Sequence, residues 1–73
     1  MKFELTDETV EISDVTYHRI RALENFSNVK TGDLGGWVEK IENLDMTGDA
    51  WVYGNALVTG NARVSGDAWV SGG

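Results

Sequence analysis

Apolar positions in the last third of the chain recur with two nested periods. From Gly48 the residues read GDAWVY, GNALVT, GNARVS and GDAWVS, then Gly-Gly. Ala stands at 50, 56, 62 and 68, Val at 52, 58, 64 and 70, and Gly at 48, 54, 60, 66 and 72. Alternate residues of a strand share a face, so the Ala and Val of each unit point one way and their neighbours the other. Gly-Asp or Gly-Asn then turns a corner at little steric cost. A short strand and a corner repeated every six residues make one side of a prism, and three sides close a triangular coil of eighteen residues with Ala and Val inside. The whole GDAWV unit returns after eighteen residues, pairing Trp51 with Trp69 and Asp49 with Asp67. In such a coil these twins lie one above the other, about 4.8 Å apart, with the indoles stacked on the outer wall.

The first part of the chain has strand patterning without the repeat. Lys2–Leu5 and Val10–Ile12 alternate around a polar Thr6-Asp7-Glu8 and read as a hairpin. Ser13-Asp14 interrupts the pattern. Val15–Leu23 is rich in β-branched and aromatic residues and reads as a strand. Gly32-Asp33-Leu34-Gly35-Gly36 reads as a tight connection, and Trp37 as core. Leu44 and Met46 fall in the phase of the later Ala and Val positions, so Leu44–Thr47 reads as a first, degenerate repeat. The expected fold is all-β: N-terminal antiparallel strands (1–43) capping a short triangular parallel β-helix of hexapeptide repeats (44–73), together one compact unit.

Composition narrows the function. Twelve acids against six bases give a net charge of −6. That disfavours direct contact with nucleic acid, which needs clustered Lys and Arg, and equally disfavours anionic membranes. It suits a partner with a basic surface. Without Cys there is no disulfide, and with His18 alone there is no second histidine for a metal site. No signal-peptide pattern or long apolar run is present, so the expected location is cytoplasmic.

The repeat G-[DN]-A-x-V-x over 44–73 resembles the hexapeptide-repeat proteins of the left-handed parallel β-helix class. The left hand is what that resemblance implies; generic crossover chirality gives the right hand. The commonest form of the motif has Gly or an acid directly after the branched residue, whereas Tyr53, Thr59, Ser65 and Ser71 stand there in this chain. Hexapeptide acyltransferases resemble it in repeat alone, since nothing matches their loop histidine. The lead-in from YHRIRAL to DLGGWVEKIENL is similar to that of short phage and bacterial proteins carrying such repeats. By size, charge and scaffold type only, the chain is also similar to pentapeptide-coil DNA mimics and to small phage-encoded inhibitors of CRISPR machinery.

The function expected on these grounds is non-enzymatic, with no cofactor and no metal. An acidic wall of Glu39, Glu42, Asp45, Asp49 and Asp67 would block the basic nucleic-acid-binding surface of a host defence complex by imitating DNA. In that setting the host cell cytoplasm is its location. Trp51, Tyr53, Leu57 and Trp69 occupy outward slots. They form either an exposed apolar interface or a surface covered by the folded-back N-terminal segment. The competing reading is a structural or oligomerisation module. Four hexapeptides leave the C-terminal coil with an open edge, to be met by a second copy as a homodimer, by a partner, or by more of a longer solenoid.

Overall fold

The structure is a computed structural model in which residues 1–72 are described. Its N-terminal half follows from strand alternation and one tight turn. β1 (Phe3–Ile12) and β2 (Val15–Ala22) pair antiparallel, from Phe3 opposite Ala22 to Ile12 opposite Val15. The turn between them is Ser13-Asp14, with φ of 53° and 67°. Two successive positive φ values match the right-handed twist of the flanking strands. The hairpin expected to turn at Thr6-Asp7-Glu8 therefore turns seven residues later. Those three polar residues form a bulge between the pairs Leu5–Ile20 and Thr9–His18, where Thr6 Oγ1 donates to the Arg19 carbonyl at 2.8 Å. A bulge of this kind absorbs extra residues without ending the strand.

β3 (Leu34–Val38) joins the other side of β2, also antiparallel. Gly35 and Gly36 thus lie within a strand, not in the connecting turn expected for them. A Cβ on Gly35 would sit 2.5 Å from the Val52 carbonyl oxygen and 2.6 Å from Ile20 Cγ1. On Gly36 it would sit 2.7 Å from Val52 Cγ1. Close backbone approach is the reason for both glycines. The true turn is Asp33 and its neighbours, where Gly32 has φ of 95°.

From β3 onward the chain makes two passes that pair in parallel at three places. β3 pairs with β5 (Leu57–Val58), Trp37 opposite Leu57 and Val38 opposite Val58. Leu44 bridges Val64. β4 (Trp51–Gly54) pairs with β6 (Trp69–Gly72), Trp51 opposite Trp69 and Val52 opposite Val70. The sheets run β1-β2-β3-β5 and β4-β6. The offset between partners is twenty residues at the first two places and eighteen at the third. The change falls between Leu44/Val64 and the next corner, where the Asp49 N–H donates to the Gly66 carbonyl at 3.1 Å. The lower pass has two additional residues there, within Asp45–Thr47. Leu44 therefore occupies a Val slot, not the Ala slot its phase suggested, and Met46 belongs to the enlarged corner. β3 lies in both the N-terminal sheet and the first parallel pair.

The core lies between the passes and under the hairpin. Phe3, Ile20, Val38, Leu44, Ala50, Val52, Ala56, Val58 and Val64 are all buried. Burial fades along the upper pass: Ala62 and Ala68 are exposed and Val70 is half-buried. Two polar side chains are buried with the core. Asn43 ends the 3-10 turn Ile41–Asn43, accepting from the N–H groups of Glu39 (3.0 Å) and Lys40 (2.8 Å) and donating to the carbonyls of Gly60 (3.1 Å) and Ala62 (2.8 Å). Lys2 reaches under the lower pass, its Nζ 2.8 Å from the Ala50 carbonyl and 3.4 Å from that of Gly48. No helix of the described residues is long and apolar enough to cross a membrane.

Candidate functional site

The wall built on Leu44 and Val64 is flanked by two corners, and the five acids singled out from sequence fall on them. Glu39 and Glu42 lie at the corner between β3 and Leu44. Asp45 and Asp49 lie at the enlarged corner between Leu44 and β4, with Asp67 on the pass above. The wall's own cations are Lys40 and Arg63. Lys40 Nζ donates to Asn61 Oδ1 at 3.1 Å, and Arg63 donates to Asp45 Oδ1 at 3.2 Å.

The five acids are not equivalent. The Arg63 hydrogen bond, followed by bonds from backbone N–H groups of Thr47 and Met46, holds the Asp45 carboxyl below its ordinary range. Its charge is therefore largely answered within the fold. Glu39 accepts from the Gly60 N–H and the Thr59 hydroxyl, which ties the corner of the lower pass to that of the upper. Glu42, Asp49 and Asp67 are exposed, and among the described residues none makes an ion pair. Asp49 and Asp67 occupy equivalent positions on successive passes, one residue after Gly48 and Gly66. The Lys2 ammonium lies beneath Asp49. Burial pushes the Lys2 pKa down, while Asp45, Asp49 and Glu24 oppose the shift. Asp67, on the upper pass, makes no ion pair among the described residues.

The four apolar interface candidates divide. Trp51 is only 2 % exposed, because the turn closed by the Phe26–Val29 bridge lies over it. The Phe26 ring meets Trp51 edge-on at 5.3 Å. For Trp51 the covering alternative thus holds, and it is not part of a free surface. Trp69, its partner one pass up, is 39 % exposed and packs edge-on against Tyr53 at 5.5 Å. The two indoles are in register, yet each has a different aromatic partner, a correction to the expected indole stack. Tyr53 and Trp69 form an exposed pair on the β4–β6 wall. Leu57, also exposed, lies past the Gly54-Asn55 corner on the next wall beside Trp37. Trp37 is half-buried beneath the Arg19 guanidinium, 4.6 Å from its ring.

Sequence reasoning passed over three residues that position this surface. Phe26 covers Trp51, Lys2 holds the carbonyls beneath the lower pass, and Asn43 locks the first corner. On the hairpin, Arg21 pairs with Glu4 and Arg19 approaches Glu8. Compared with known protein families and with curated proteins, the chain matches none.

Proposed function

We propose that this chain is a non-enzymatic binding protein whose two parallel passes are coils of a short triangular parallel β-helix. Its acidic wall engages a basic protein surface that otherwise takes nucleic acid. The observation that carries the reading is the set of exposed carboxylates on Glu42, Asp49 and Asp67, which make no ion pair among the described residues. Two of them stand at the same corner of successive passes. Regular negative charge on a stiff scaffold is what a groove built for phosphates attracts, and unpaired surface charge accelerates encounter with an opposite field. The exposed Tyr53–Trp69 pair supplies apolar anchoring area on the adjoining wall. The partner class that fits is a nucleic-acid-binding complex of a host defence system, inhibited by occupation of its basic channel.

The test is a triple reversal, Glu42→Lys, Asp49→Lys and Asp67→Lys, assayed for inhibition of target-DNA binding by candidate CRISPR complexes. All three side chains are exposed, and circular dichroism checks that the fold is kept, since Asp49 also interacts with the buried Lys2 ammonium. Association with the partner is expected to slow by roughly 10–1,000-fold, with the largest loss at low salt. Undiminished inhibition by a folded triple variant removes the acidic wall from the binding mechanism.

A further inference from the structure

Each of the three walls of the upper pass is a free edge among the described residues. β5 ends the four-stranded sheet, β6 ends the two-stranded sheet, and Val64 bridges only to Leu44. Toward the end of the upper pass, positions that are interior below become surface: Ala50 is buried and Ala68 exposed, and Ala62 is exposed as well, while Ala56, Val58 and Val64 stay buried. The glycine corners record the same vacancy. A Cβ on Gly48 would meet the Gly66 carbonyl oxygen at 2.8 Å, and one on Gly54 would meet that of Gly72 at 2.9 Å. Gly60 and Gly66 share the positive φ of those corners, at 62° and 65°, but nothing lies within 4 Å of their Cβ positions. The upper pass is shaped for close backbone approach at places where no backbone comes.

The opposite side of the stack is covered in part, although β4 is also an edge of its two-stranded sheet. β2 covers β3, and the Lys2 ammonium holds the Ala50 and Gly48 carbonyls. Head-to-tail addition of copies, which would grow a fibre, is therefore hindered where β2 and Lys2 lie. An isologous pair in which both copies use the same face remains open, and such a pair closes. Charge permits it. Residues 54–72 carry one base, Arg63, and one acid, Asp67, so the net −6 of the chain resides on the rest. Two strongly acidic molecules can meet at this end without like-charge repulsion across the contact.

The geometry points to the upper pass as the docking surface for a second copy of this chain, forming a closed two-fold dimer end to end. Strand edges pair across the axis, and Ala62, Ala68 and Val70 become interior. This inference is independent of the acidic-wall reading. Sedimentation equilibrium over a concentration series, with hydrogen exchange on the same samples, tests it. The expected result is a reversible dimer whose formation selectively protects amides within 57–72. Ala62→Glu and Ala68→Glu, each placing a charge on the buried face of the contact, should weaken dimerisation at least tenfold. Their secondary structure should be unchanged. A monomer at every concentration overturns the inference. So does a dimer whose added protection falls on the free edge of β1, or open-ended growth beyond two copies.

Discussion

Replacing Asn43 with alanine is expected to unfold most of the chain at room temperature. The Asn43 side chain is fully buried and makes four hydrogen bonds, two to N–H groups of the lower pass and two to carbonyls of the upper. Its removal leaves the Glu39 N–H with a second partner, the Val58 carbonyl at 3.1 Å. The Lys40 N–H and the Gly60 and Ala62 carbonyls lose the amide that satisfied them. A buried polar group left without a partner costs about 1–3 kcal/mol; Lys40, Gly60 and Ala62 are exposed residues, so water recovers part of that cost, and the void left by the amide adds to it. A single core of this size provides only about 3–5 kcal/mol in total, so the loss is comparable with the whole. Urea denaturation followed by tryptophan fluorescence should show Asn43→Ala unfolded or nearly so without denaturant. A midpoint within experimental error of the parent would mean that the amide does not tie the passes together.

Gly35→Ala is expected to have the second largest effect. The added methyl group meets the Val52 carbonyl oxygen on one side and the Ile20 side chain on the other, both closer than any Cβ is found. Neither can yield, since Val52 is paired within β4 and Ile20 is packed in the core. Overpacking of this kind costs about 1–3 kcal/mol and at times more. Gly60→Ala is the informative control, because nothing surrounds its Cβ and only its φ of 62° opposes a side chain. That strain is about 1–2 kcal/mol. A denaturation midpoint that falls further for Gly35→Ala than for Gly60→Ala is the expected order. The reverse order would remove the close approach of β3 to both neighbours.

The register of β4 and β6 was legible because the residues that set it recur at a fixed spacing. The spacing of Val52 and Val70, like that of Trp51 and Trp69, states the register of β4 and β6 directly. The preceding part was harder to read for physical reasons. Gly36 occupies the slot of Ala56 in the pass above, with the Trp37 N–H donating to the Ala56 carbonyl. The segment LGGWVE therefore pairs in parallel with the upper pass without an alanine in that slot, and the parallel pairing begins at β3. The two extra residues within Asp45–Thr47 shift the phase, so Leu44 and Met46 suggest a frame that only Leu44 enters, and in the other slot. Ser13-Asp14 showed a break but not its direction, because positive φ in two non-glycine residues has no mark in composition. The acids could be named from sequence, but their ranking could not. That Asp45 is answered by Arg63, and Glu39 engaged with the Gly60 N–H, depends on which corners the winding superposes. Trp51 was hidden by Phe26, whose place over the lower pass follows from a local Phe26–Val29 turn and from nothing periodic.

The most direct test of the winding is a set of nuclear Overhauser contacts between backbone protons of 37–54 and of 57–72. Parallel stacking predicts contacts joining residues eighteen apart between Trp51–Gly54 and Trp69–Gly72, together with contacts joining residues twenty apart for Trp37–Leu57 and Val38–Val58. Both offsets should be present in one molecule with parallel-strand intensities. An antiparallel pattern between Trp51 and Trp69, or a single offset running through all three walls, would contradict it.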